Sequence, residues 1–199
     1  LQTIDAQVNR VTELVSRLLD VSRIEEKRLQ LQVEPVDMVE VVRGAAVEAQ
    51  LATELHTVVA RFAEDTAVAA IDRTRVEQVL ANLLDNAIRY SPEGTTVEIV
   101  LTTAGDDIVV AVSDEGPGIP AEAQTRMFER YFRGTASSQA ASDGLGLGLY
   151  VAHGIVIAHG GRMWVDSDGS SGTTFSFSLP RGGSVPAVET QPVHEVVEG

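Results

Sequence analysis

The stretch "RTRVEQVLANLLDNAIRY", Arg73 to Tyr90, carries two patterns at once. Val76, Val79, Leu80, Leu83, Leu84, Ala87 and Ile88 recur at spacings of three and four, which sets them on one face of a helix. Asn82, Asp85, Asn86, Arg89 and Tyr90 recur at the same spacing on the opposite face. Pro92 and Gly94 end the run. A polar stripe normally faces water, but asparagine is a poor helix former, and a pair one turn apart gives up stability that glutamate or lysine would supply. An amide oxygen also suits a hard cation such as Mg²⁺, which shares its coordination among waters, one or two protein oxygens and substrate phosphates. A solvated surface and a metal-phosphate site both stand on this helix taken alone.

Outward from the helix, the patterning alternates between strand and helix. Before it, "RLQLQVEPVD" alternates apolar and polar residues as a strand, and Asp37 opens a helix through about Thr53. "TVVARF" and "AVAAI" are strand-like, with "AEDT" as the turn between them. After it come two strands, "TVEIVLT" and "DIVVAVS", joined by "AGDD" as a hairpin, and then a helix expected over residues 121–130. Residues 147–159 have helical spacing, and "GRMWVDS" with "GTTFSFSLP" forms a last hairpin. Strands and helices interleave without strict βαβ alternation. The expected fold is therefore α+β, a two-layer sandwich of a mixed sheet with helices on one face.

At the start, Leu1, Ile4, Val8, Val11, Val15 and Leu18 follow the three-and-four spacing of a helix that packs on another helix, widened by Leu14, Leu19 and Val21. The alternative is an amphipathic helix lying on its own domain. The pattern opens with no capping residue ahead of it, so the chain is expected to be a piece of a longer protein. The organisation expected is a lone bundle-type helix over 1–29, a globular domain over 30–181 and a disordered acidic tail over 182–199.

Composition narrows the chemistry. The 199 residues carry a formal net charge of −14, which repels the phosphate backbone of nucleic acids and argues against nucleic acid as a partner. With no cysteine, disulfides, thiolate zinc sites and cysteine nucleophiles are excluded. Lys27 is the only lysine, so the loop G-x-x-x-x-G-K-[ST] is absent. Nothing reaches the length of a membrane span.

Two glycine clusters hold further candidates. Asp114 ends an apolar strand in "DEGPGIP", where a carboxylate at a pocket mouth would accept a hydrogen bond from a planar amine such as that of adenine, and Gly116 and Gly118 would let a flat ring approach the backbone. A plain turn is the competing reading. In "DGLGLGLY", Gly144, Gly146 and Gly148 lead into a helix whose free N–H groups suit phosphates. The dinucleotide fingerprint needs a preceding strand, and here a polar loop comes first. Between the clusters, "FERYFRG" offers Arg130 and Arg133, either as permanent charges for a phosphoryl group or as ordinary surface residues.

The order of these motifs is more specific than any one of them. An asparagine helix, D-x-G-x-G, F-x-x-x-F-R, a Ser/Ala-rich loop, G-x-G-x-G and a terminal "GTTF" together resemble the catalytic ATP-binding domain of sensor histidine kinases. These belong to the wider family shared with gyrase, Hsp90-type chaperones and mismatch-repair ATPases, and the resemblance covers roughly residues 31–180. It implies the Bergerat ATP-binding fold, with ATP and Mg²⁺ as cofactors. Asn86 matches the Mg²⁺ ligand and Asn82 its phosphate or metal neighbour. Arg89 matches a basic residue reaching phosphate, and Tyr90 an aromatic near the nucleotide. Asp114 matches the adenine-reading aspartate, with Gly116 and Gly118 lining the base pocket. Arg133 matches the arginine that approaches the γ-phosphate, and Gly144, Gly146 and Gly148 the hinge of a lid. Thr173 and Thr174 match the strand beside the adenine pocket.

Hydrolysing relatives carry a glutamate four residues before the metal-binding asparagine; here that position is Asn82, an amide that takes no proton at neutral pH. The resemblance therefore implies phosphoryl transfer to a protein histidine, with a mechanical ATPase or a silent nucleotide-binding module as the alternatives. None of His56, His153, His159 or His194 has the setting of the acceptor histidine, so the chain is expected not to phosphorylate itself. The first helix resembles the second helix of the dimerisation hairpin. Expected partners are a response regulator and, in the parent protein, a second copy through that hairpin. The piece is expected to be soluble and cytoplasmic, its parent seated in a bacterial cell membrane.

Overall fold

The computed structural model describes residues 2–132 and 145–182. Its elements run α1 (Gln2–Glu25), β1 (Glu34–Asp37), α2 (Met38–Ala52), β2 (Thr57–Phe62), β3 (Val68–Ile71), α3 (Arg73–Tyr90), β4 (Thr96–Ala104), β5 (Asp107–Asp114), α4 (Ala121–Gln124), α5 (Gly148–Ala158), β6 (Arg162–Asp166) and β7 (Thr173–Pro180). Asp37 and Asp72 begin α2 and α3 by accepting the amides of Val39 at 3.0 Å and Arg75 at 3.2 Å. Each removes an orphan donor from a helix start.

Five strands form one sheet in the order β2-β4-β5-β7-β6. β2 runs parallel to β4 and every other pair is antiparallel, so the sheet is mixed. Register aligns one row of apolar side chains across it: Leu101 opposite Val110, which is opposite Phe177, which is opposite Met163. That row and its neighbours Ile99, Val112 and Phe175 are buried. They meet Met38, Val42, Leu80, Leu83, Val151 and Ile155 from α2, α3 and α5 in one core. Side chains alternate along a strand, so all three helices lie on this one face. The expected two-layer α+β architecture is the one found.

A separate two-stranded sheet pairs β1 with β3, Pro35 opposite Ala70. "TVVARF" and "AVAAI" therefore do not pair with each other across "AEDT". The amide of Ala67 binds the Asp37 carboxylate at 2.9 Å, which draws β3 to β1 and leaves β2 to the main sheet. Residues 28–33, read as part of the first strand, form no regular element. The helix expected over 121–130 stops at Gln124. Phe128 instead turns inward to stack on His153 at 5.1 Å and meet the edge of Phe175 at 6.4 Å, and Tyr131 takes a left-handed φ of 62° that no helix accepts.

α1 follows the second reading of its seam over its C-terminal end. Its last turns lie on the domain: Asp20 and Val21 are buried, and Ile24 fills the space over Gly154. Asp20 accepts from Arg75 Nη1 at 2.9 and 3.0 Å and from Gln78 Nε2 at 2.9 Å. Val15, Leu18 and Leu19 stay exposed. Among the described residues no helix is long and apolar enough to cross a membrane.

Candidate functional site

The sheet and its helix layer bring motifs distant in sequence to one place. α3 runs unbroken through its asparagines, since its apolar face is buried from Val76 to Ala87 and packing outweighs propensity. The stripe, however, is not uniformly solvent-facing. Asn82 is 8% exposed and lies against the start of α5, where a methyl group on Gly148 would stand 2.9 Å from the Asn82 Oδ1. Asn86 is half-buried, and Arg89 and Tyr90 are exposed at the end of the helix. A side chain at Gly148 would collide with Asn82, so glycine there is what allows α5 to begin beside it.

The first glycine cluster closes the other end of this region. A methyl group on Gly116 would lie 3.0 Å from the carbonyl oxygen of Tyr90, so the D-x-G turn abuts the last turn of α3. Asp114 Oδ1 accepts the Gly116 amide at 2.7 Å, and the carboxylate takes a further bond from the backbone of Thr173. Burial pushes the Asp114 carboxyl above the ordinary carboxylate range, the two backbone donors opposing the shift without cancelling it. Thr173, opposite Asp114 in the ladder, is buried on the same side. It therefore belongs beside the aspartate.

Gly118 packs against a neighbouring loop. Its φ is +75°, and a Cβ there would stand 2.6 Å from the amide nitrogen of Ser170. The loop between β6 and β7 packs on it. Ser167 Oγ accepts from Ile119 N at 2.9 Å, Gln124 Nε2 binds the carbonyls of Ile119 and Ser167 at 2.7 and 2.8 Å, and Gly172 N binds the Gly116 carbonyl at 2.7 Å. Asp168, held well down at about 2 by the amides and hydroxyls of Ser170 and Ser171, orders that loop. Sequence reading missed Gln124 and Ser167; their residue types gave no sign, because the bracing pairs them across 43 residues.

Other candidates fall outside this cluster. Thr174 points to the opposite face of the sheet, bonding Ser113 at 2.9 Å between hydroxyls, so only one of the two threonines lies beside Asp114. Arg130 is committed elsewhere: its Nη1 pairs with Glu25 at the end of α1, and its guanidinium stacks on Tyr131 at 5.0 Å. Gly146 sits in a left-handed turn and its carbonyl accepts the Tyr131 amide at 3.1 Å, which fastens the chain before residue 133 to the chain after residue 144. Arg133, Gly144 and the Ser/Ala-rich loop lie outside the described residues, as does the tail from residue 183.

Residues 71–183 match the family model described as histidine kinase-, DNA gyrase B-, and HSP90-like ATPase. The sensor protein KdpD of Clostridium acetobutylicum is 32% identical over 84% of this chain and 19% of its own length. The sensor histidine kinase WalK of Bacillus subtilis is 33% identical over 87% of this chain and 29% of its own. The chain thus spans less than a third of either relative. Among solved structures, the mycobacterial sensor histidine kinase MprB superposes with a TM-score of 0.68 at 28% identity, covering 75% of this chain and 99% of that one.

Proposed function

The chain belongs to the histidine kinase-, DNA gyrase B- and HSP90-like ATPase family, and on that premise we propose that it is the ATP-binding catalytic domain of a sensor histidine kinase, which gives the γ-phosphoryl group to a histidine carried on another segment. One observation carries this reading: Asn82 meets Gly148, and Tyr90 and Asp114 meet Gly116, so three motifs spread over 67 positions share one wall. Such convergence has no purpose in a plain surface stripe or a plain turn.

The residues fit ATP with Mg²⁺. Asp114 keeps acceptor capacity beyond the two backbone donors it already binds, as reading an adenine amine requires. Among the described residues no three acidic or imidazole groups are arranged to hold a metal alone. A cation here would accordingly rely on the Asn86 amide together with oxygens of the triphosphate, the arrangement Mg²⁺ favours. When bound, ATP supplies the phosphoryl group and the metal spreads its charge. The chain's own part is to orient: Asn86 toward the metal, Arg89 and Tyr90 at the mouth, Arg133 and Gly144 from the segment beyond Phe132. Asn82 offers no general base for water, which favours transfer over hydrolysis.

None of the described histidines is suited to receive the phosphoryl group. His56 and His159 are buried, and His153 is stacked on Phe128. The chain alone should therefore take up no label from γ-labelled ATP, while a separate helical hairpin bearing an acceptor histidine should. The exposed Val15, Leu18 and Leu19 of α1 favour a helical partner, and a response regulator would be the next acceptor. Calorimetry tests the reading. ATP should bind more tightly than GTP, and Asn86→Ala should abolish the gain that Mg²⁺ brings. Absence of ATP binding by the parent chain would overturn it.

A further inference from the structure

Away from the nucleotide wall, at the opposite ends of α3 and α5, stands a buried histidine that the reading above does not use. His159 caps the C-terminus of α5 and is 3% exposed. Its Nε2 lies 3.0 Å from the backbone nitrogen of Asp72 and accepts that N–H. That nitrogen therefore bears no proton, so Nδ1 does, and it donates to the carbonyl of Ile155 at 2.8 Å. Asp72 is itself a junction: one carboxylate oxygen caps α3 through Arg75 N, and the other accepts Gln32 N at 2.9 Å. One imidazole thus joins the end of α5 to the residue that starts α3.

The two helices run antiparallel between two fixed points. Asp72 meets His159 at one end and Asn82 meets Gly148 at the other. The segments between them are ten and eleven residues long, spans of about 15 and 16.5 Å at the helical rise. The lengths match, so fixing one end fixes the other. The end at Gly148 has no slack, since even a methyl group would press on Asn82. A backbone amide buried at Asp72 must find a partner, and without the imidazole the end of α5 would have to shift to give it one.

We propose that His159 is a positioning residue for the ATP site: it sets how far α5 slides along α3, and so how the helix start at Gly148 sits beside Asn82. The inference rests on the nucleotide reading. Calorimetry of ATP with Mg²⁺ on the parent chain, His159→Gln and His159→Asn tests it, with melting temperatures measured alongside. Glutamine places an acceptor where Nε2 stands, whereas asparagine reaches only the Nδ1 position and leaves the Asp72 amide unpaired. His159→Asn should weaken binding by about 2- to 30-fold, the range for residues in packed coupling networks. His159→Gln should stay within about twofold of the parent. Equal binding by all three, or equal weakening of both variants in step with their melting temperatures, would overturn the inference. Should His159→Asn fail to fold, hydrogen exchange on the parent decides: by reciprocity, saturating ATP and Mg²⁺ should slow exchange of the Asp72 amide, and an unchanged rate would overturn the inference. A parent that binds no ATP defeats the nucleotide reading and the inference with it; a parent that binds, with indifferent variants, defeats the inference alone.

Discussion

Asp114→Asn should move affinity and stability in ways that a plain turn aspartate would not. The carboxylate has about four acceptor positions. Gly116 and Thr173 take two of them, leaving the rest for a ligand. Replacing an ionised acceptor by an amide removes a charge-assisted bond, which is about 1.5–3 kcal/mol, or about 10- to 150-fold in the dissociation constant for ATP. Stability should not follow. Burial raises the Asp114 pKa, so the folded state binds a proton that the unfolded state has already lost, and stability falls as pH rises from 3.8 through the folded value. The ionised form is thus the costly one at neutral pH, and asparagine is its nearest neutral isostere. We expect the variant to melt no lower than the parent while losing ATP affinity, as functional sites trade stability for activity. Calorimetry and a thermal melt in the absence of nucleotide suffice. A variant that binds ATP as the parent does, or one that melts several degrees lower, would refute the argument.

Asp20→Ala should release α1 without unfolding the domain, because it removes the acceptor of Arg75 and Gln78; Arg75 is 20% exposed and can rehydrate, so the cost is about 1–3 kcal/mol, visible as faster proteolysis within residues 2–25 and an unchanged sheet signal. His159 and His153 are both held below their usual pKa by burial, so the stability they confer is complete above about 6.5 and is lost as pH falls through 6.5 toward their folded values. Urea midpoints should therefore drop between pH 7.5 and 5.5, and less so in His159→Gln; a flat profile in the parent contradicts this. Gly118→Ala forces a Cβ into the Ser170 amide at positive φ and should cost about 2–4 kcal/mol, read as a lower urea midpoint.

The asparagine helix was legible because its apolar face alone dictates a helix, and Pro92 and Gly94 end it. Most strands were legible as β-branched and apolar runs between turns, whereas the alternation over residues 28–33 produced no regular element. What sequence did not carry was pairing. Adjacent threonines 173 and 174 look equivalent until the register with Asp114 sends one to each face. Nothing in "AVAAI" reveals that its partner is "EPVD" rather than "TVVARF"; that depends on the Asp37 carboxylate reaching Ala67. Arg130 reads as either a phosphate-facing charge or a surface residue, and its pairing with Glu25 shows only once α1 folds back. The burial of Asn82 is not legible in its own helix, since its cover comes from a helix 66 positions later.

The position of β7 in the sheet has a consequence for biosynthesis. β7, the last of the described strands, inserts between β5 and β6, so that two neighbours already made must wait for it. Until Pro180 has left the ribosome, β5 has one side unpaired and the row of Phe175, Phe177 and Leu179 is missing from the interior. Such a domain is expected to remain exposed to chaperones until β7 emerges and then to collapse in a single late step.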